Sequence, residues 1–230
     1  MNSHVVSLLL LVAGLIPGLS HAQLTVRPQV SLGLSTQSLR IDGESPGEYD
    51  IRTRPRPAIE VGLTGAYPIR EGVEVYTGML FQTRGSQLRS SHTSGSVTEK
   101  VTETIGLSYL EIPLGVSVHL LPEQGLWVEG GLGIGVALGG NIKQVYRSSN
   151  GTDSYERSDQ VSINFDRDLG YGMRRGDLRF HLGARLKPTT LPLEVGARLS
   201  LSLSDSNRQA DASLRNSALM LFATWPISIP

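Results

Sequence analysis

Leu126-Trp127-Val128-Glu129-Gly130-Gly131-Leu132-Gly133-Ile134-Gly135-Val136-Ala137-Leu138-Gly139-Gly140 repeats with period two. Leu126, Val128, Leu132, Ile134, Val136 and Leu138 share one parity; Trp127, Glu129, Gly131, Gly133, Gly135 and Ala137 hold the other. Successive strand side chains point to opposite faces, so this stretch is a strand with one apolar face and one small or charged face. Gly131-Leu132-Gly133-Ile134-Gly135 superficially matches a dinucleotide loop. Such a loop follows a strand and opens a helix, whereas these glycines alternate within a strand, which assigns them to packing.

The same alternation recurs on both sides of this stretch, giving eight segments in all. Downstream, Leu193, Val195, Ala197, Leu199 and Leu201 alternate with Glu194, Gly196, Arg198, Ser200 and Ser202, and Leu178, Phe180 and Leu182 alternate with Arg179, His181 and Gly183. Upstream, Leu110, Ile112, Leu114 and Val116 alternate with Glu111, Pro113, Gly115 and Ser117. Weaker versions begin at Val26, Ile59 and Val73, and Leu219–Trp225 closes the series. A parity slip around Ser108–Leu110 predicts a bulge there.

The connections alternate in length. Long polar segments lie at Arg40–Arg56, Gly85–Glu103, Arg147–Arg175 and Asp205–Ser213. Tight turns fall at Pro68–Gly72, Leu121–Gly125 and Pro188–Pro192. That rhythm of long outer loops and short inner turns is the pattern of bacterial outer-membrane barrels. The expected fold is therefore all-β: an eight-stranded antiparallel up-and-down transmembrane β-barrel with a plugged polar lumen.

In such a barrel the apolar face meets lipid and the polar face turns inward. The inward parity carries Glu60, Glu74, Glu111, Glu129 and Glu194 against Arg27, Arg179, Arg185 and Arg198. Eight strands enclose an interior just wide enough for side chains to fill. Buried charges must pair, so these nine are expected to form a lumen charge network, with small Gly and Ser making room. The alternative is a soluble periplasmic ligand-binding barrel with the faces reversed. Tyr67, Trp127, Trp225 and Phe222 lie near the short-turn ends, where an interfacial aromatic belt sits, although Trp127 falls on lumen parity. The chain ends Ile229-Pro230, without the terminal aromatic common in such barrels.

Composition agrees by exclusion. The 230 residues hold 26 Gly, above the ~7% typical of soluble domains, and only 39% apolar residues. Twenty-one basic residues balance 21 acidic ones, so the basic excess of nucleic-acid binders is missing. Zero Cys removes disulfide frameworks, thiolate metal sites and thiol nucleophiles. Val5–Leu19 is an uncharged apolar run ending in Ser20-His21-Ala22, which reads as a signal peptide over 1–22, cut before Gln23. The barrel domain is then 23–230, exported to the cell outer membrane.

Tyr109-Leu110-Glu111-Ile112-Pro113-Leu114-Gly115-Val116 resembles the fourth strand of the PorT-like outer-membrane β-barrel family, sometimes called the porin-family β-barrel domain. The Gly-rich Gly130–Gly140 strand and Leu193–Ser204 are similar too, so the resemblance spans the mature chain in strand order. It implies an eight-stranded outer-membrane barrel. The member that names the family is associated with type IX secretion and maturation of surface proteases, which implies a structural, surface-interaction or secretion-accessory role without enzymatic activity. Physically, Glu111 and Pro113 face the lumen. Pro113 removes a ladder donor in mid-strand, so a local irregularity is expected beside it.

Other chemistry is thinner. His119 and His181 share lumen parity with Ser117, the residue types of a lipid-modifying hydrolase or acyltransferase. Asp153, Glu156, Asp159, Asp166 and Asp168 form an acidic cluster without Ca²⁺-loop spacing, interleaved with Arg147, Arg157, Arg167, Arg174 and Arg175. No cofactor or metal is expected. The expected partners are outer-membrane lipid and secretion-machinery or surface proteins, with no nucleic acid, and the barrel is expected to be a monomer.

Overall fold

The computed structural model describes residues 23–41, 50–150, 153–163, 165, 173–188, 191–206 and 212–229. The expected signal peptide over 1–22 lies outside the described residues. β1 (Leu24–Ile41), β2 (Asp50–Arg70), β3 (Val73–Ser94), β4 (Val97–Leu121) and β5 (Leu126–Ser149) follow in meander order. β6 (Ser154–Ser162), β7 (Gly176–Leu186), β8 (Glu194–Ser202), β9 (Ala212–Thr224) and β10 (Ile227–Ile229) complete the chain.

Pairing runs β1-β2-β3-β4-β5-β7-β8-β9 and closes through β1–β9, so eight antiparallel strands form a ring. β6 pairs with β5 outside that ring, and β10 extends the line of β9 along the start of β1. Ring closure removes the unpaired edges that an open sheet exposes. Among the described residues no helix is long and apolar enough to cross a membrane, a statement that does not bear on strands.

The barrel is inside out. Leu114 is 66% exposed, Ile134 65% and Leu221 65%, while Glu111, Arg179 and Glu194 are fully buried. A water-soluble barrel of this parity would show water a continuous apolar surface; lipid is the solvent in which that face is stable.

Strand lengths differ around the ring. β7, β8 and β9 have 11, 9 and 13 residues, close to the ~9–11 that span a bilayer at a ~45° tilt. β2, β3, β4 and β5 have 21, 22, 25 and 24, so that side of the barrel continues well past the apolar belt. This corrects the loop reading. Gly85–Glu103 is mostly paired strand, turning at Gly95, whose φ of 58° suits glycine. Arg147–Arg175 begins as the end of β5 paired with β6, and β1 and β2 advance into the expected first loop as far as Ile41 and Asp50. Polar composition there marks strands that leave lipid for water.

Both irregularities expected in β4 have a counterpart in its ladders, though neither puts an extra residue in that strand. Its alternation is unbroken: Ile105, Leu107, Tyr109, Glu111, Pro113 and Ser117 all face inward. Ser108 pairs with Gly139 and Tyr109 with Ala137, so the extra residue of the irregularity is Leu138, on β5. The apparent slip in β4 is a change of lumen character. Ile105, Leu107 and Tyr109 pack with Ala137, Ile142, Ile163, Phe165, Met173 and Leu214 into an apolar cap over the outer end of the interior. At Pro113 there is no register shift. The β3–β4 ladder breaks opposite Ile112 and Pro113 and resumes in register, while Thr77 Oγ1 donates to the Pro113 carbonyl at 2.8 Å.

Candidate functional site

Every lumen-facing charge is delivered by strand parity, so the barrel interior is the place to seek chemistry. The nine sequence-named charges all lie there, in three layers. Nearest the short turns, Arg27 donates to Glu74 at 3.0 Å and lies 3.1 Å from Glu194. Arg185 bridges Glu194 at 2.6 Å and Glu74, with Glu129 at 3.9 Å, and its guanidinium lies 4.7 Å over the Trp127 ring. Trp127 thus serves the lumen, as its parity predicts.

In the middle layer Glu60 accepts from Gln29 at 2.7 Å, from Ser31 at 2.8 Å and from Arg198. Arg198 lies 5.7 Å over the Phe222 ring. Phe222 is therefore a buried lumen residue, correcting its expected place in an interfacial belt; Trp225, 48% exposed, faces outward.

The third layer gathers Glu111 with Arg84 at 2.7 Å, Arg179 at 3.6 Å and His181 Nε2 at 2.9 Å. Asp177 joins Arg179, accepts from Ser202 at 3.0 Å and Ser204 at 2.9 Å, and lies 3.6 Å from Arg84. The guanidiniums of Arg84 and Arg179 lie 5.3 and 5.5 Å from the Tyr109 ring centroid. Tyr109, first residue of the family-like motif, thus ties the charged layers to the apolar cap, with Glu111 and Pro113 below it and Leu110, Ile112 and Leu114 turned outward.

Arg84 and Asp177 were missed by sequence reading. Both fall within or beside segments read as loops; continuing the β3 parity from Leu80 through Gln82 would have found Arg84. They change the balance inside from five Glu against four Arg to six acids against five Arg. A void bordered by Arg27, Tyr76, Glu129, Arg185 and Arg198 measures about 20 Å³, close to the room one water needs.

His181 is brought between Ser200 Oγ, 2.8 Å from Nδ1, and Glu111, while Ser117 lies elsewhere. Hydroxyl, imidazole and carboxylate are the ingredients of a hydrolytic relay, yet Ser200 is 3% exposed and His181 1%, so no acyl chain reaches them as they stand. His119 stacks on Trp127 at 4.4 Å near the short turns. In the acidic cluster, Glu156 pairs with Arg147 at 2.9 Å and Asp159 with Arg157 at 2.8 Å, while Asp166 and Asp168 lie outside the described residues. Among the described residues no group of three or more potential ligands could hold a metal ion.

Beyond the belt the projecting sheet carries its own polar contacts. On its inner face Tyr146 Oη donates to Glu99 at 2.7 Å, which raises the phenol's pKa, and Gln144 donates to Glu103 at 3.2 Å.

Among solved structures, the chain is similar to Yersinia pestis Ail in complex with the heparin analogue sucrose octasulfate, at 15% identity and a TM-score of 0.39 over 88% of this chain and 99% of that one. It is similar to Pseudomonas aeruginosa OprG at 10% identity and a TM-score of 0.42, over 90% of this chain and 97% of that one. For Neisserial surface protein A the figures are 9% and 0.35, over 90% and 99%. No curated protein matches the sequence. Residues 21–214 match the family model described as outer membrane protein beta-barrel domain. Inverted faces, ring closure and that match agree: the chain belongs to the outer membrane protein β-barrel domain family.

Proposed function

We propose that the protein is a closed, non-enzymatic barrel that anchors a projecting β-sheet at the outer surface of the outer membrane. The observation that carries this reading is the stack of paired charges from Arg27 and Glu194 through Glu60 and Arg198 to Glu111 and Asp177, roofed by the apolar cap. Ions crossing such an interior would have to break several buried pairs at once, each costly to separate. The barrel therefore serves as a plug-filled anchor and not as a porin. Planar-bilayer recording tests this: the refolded protein gives no stepwise conductance, and stable single-channel steps would overturn it.

The finer affiliation is PorT-like, supported by Tyr109-Leu110-Glu111-Ile112-Pro113-Leu114, with residues 1–22 removed on export and a monomeric barrel of 23–230 in the membrane. A surface-interaction or secretion-accessory role fits the long β2–β5 extension, since recognition concentrates in segments that leave the scaffold. A deletion strain with unchanged surface-protein processing would remove the secretion role. A second reading, a lipid hydrolase, is favoured only by the Ser200–His181–Glu111 chain. Labelling by a serine-directed fluorophosphonate, lost in Ser200→Ala, would revive it.

A further inference from the structure

The outward face of the barrel changes character along its height. Met79, Phe81, Leu114, Ile112, Ile134 and Leu138 present hydrocarbon. Higher on the same parity of the same sheet, pairing sets Arg52 beside Arg89, Arg54 beside Gln87, and Lys100 beside Arg147. Arg52, Arg54, Arg89, Lys100 and Arg147 line one cleft of about 510 Å³. Glu99 and Glu103 turn to the inner face, with Tyr146 and Gln144, while Glu156 stays outward beside Arg147. The lining of the cleft is thus cationic and holds no acid.

The cations of the cleft differ in how far they are neutralised. Arg147 pairs with Glu156, with both side chains more than half exposed, and Arg89 Nε donates to Gln87 at 3.1 Å. Among the described residues neither Arg54 nor Lys100 makes an ion pair. Like charges held this close repel unless an anion joins them. Phe81 to Arg89 rises roughly 20 Å along the axis, taking ~3.3 Å per residue and a tilt near 40°. Phe81 belongs to the apolar belt, so the outward-facing cleft stands past the ~5–8 Å polar layer of a phospholipid leaflet, at a height that only a longer sugar headgroup reaches.

We propose that this cleft binds the phosphorylated, carboxylated sugar headgroup of an outer-leaflet glycolipid, fastening the projecting sheet to its own membrane. Guanidinium forks suit phosphate and carboxylate oxygens in bidentate geometry. The inference rests on the membrane-embedded reading.

The chain has three lysines, which supply a probe: Lys100 in the cleft, Lys143 nearby and Lys187 at the opposite rim. The full chain is refolded into phosphatidylcholine vesicles with or without lipopolysaccharide bearing a phosphorylated core, and amine-reactive labelling is read by mass spectrometry. Lys100 labelling falls several-fold with the glycolipid, Lys187 does not change, and the protection disappears in Arg54→Glu/Arg89→Glu or in high salt. Equal labelling in both vesicles, protection that survives the charge reversal, or protection by a soluble sulfated polysaccharide where the glycolipid gives none would overturn it. Heat-modifiable migration is followed in both vesicles. Its absence in both marks failure of the membrane reading, whereas inserted protein with unprotected Lys100 marks failure of the cleft assignment.

Discussion

Gly133 on β5 leaves the space that His181 on β7 fills. A Cβ at position 133 would stand 2.4 Å from His181 Nε2 and 2.9 Å from Glu111 Oε1, so this glycine and the His181–Glu111 pair require each other. Gly115 stands in the same relation to Tyr76, whose ring would lie 2.5 Å from an added Cβ.

Gly133→Ala should therefore lower the stability of the folded barrel by about 1–3 kcal/mol, the usual cost of overpacking. Gly139→Ala is the control: an added Cβ meets nothing within 4 Å, and the change should stay within about 0.5 kcal/mol. Urea midpoints of the vesicle-inserted protein check both.

Arg185→Met removes one of the two cations that Glu74 and Glu194 share and leaves both buried carboxylates on Arg27 alone. A loss of about 3–5 kcal/mol is expected, as for breaking a buried pair by deleting one partner. Arg185→Met/Glu194→Gln should recover part of it, which a double-mutant cycle reads directly.

Tyr146 gives a pH dependence outside the membrane. Glu99 accepts its hydroxyl proton, holding the phenol pKa above its ordinary value. A raised folded-state pKa means that the contact's contribution is complete below the unfolded value of about 10 and is lost as pH rises through the folded one. Glu99→Gln should shift the Tyr146 titration downward, followed by NMR of its labelled ring carbon; an unmoved titration would contradict this.

The Ser94–Val97 turn, with Gly95 open on all sides, should accept an epitope tag that antibodies reach on intact cells. The same tag at Pro122–Gln124 should react only after permeabilisation. Reversed accessibility would invert the orientation.

The barrel was legible because lipid outside and pairing inside give each strand two unlike faces, which period-two reading detects. Leu126–Gly140 and Leu193–Ser202 carried that signal cleanly. It weakened where the surroundings change rather than the backbone. Above the belt, water lies outside, so Gln87, Arg89 and Lys100 look like loop residues although they are paired strand. Under the cap, Ile105 and Leu107 place apolar side chains on the inner parity, which imitates a bulge in β4 while the extra residue is Leu138. Which charges meet depends on height around the ring, and a single sequence does not carry that stagger: Glu111 beside His181 and Arg84 could be placed on the same side but not together.

Closure between β1 and β9 joins Gln29–Ile41 to Ala212–Thr224, the two ends of the described chain. Contacts of such sequence separation form late and slowly, because loop-closure entropy is lost before they can reward it. The seam cannot zip until the last strand has been delivered, so the apolar belt has no finished partner during transit. Assembly of this protein is accordingly a race between seam closure in the membrane and self-association in water. Substitutions in β9 should change the yield of barrels more than the lifetime of those already formed.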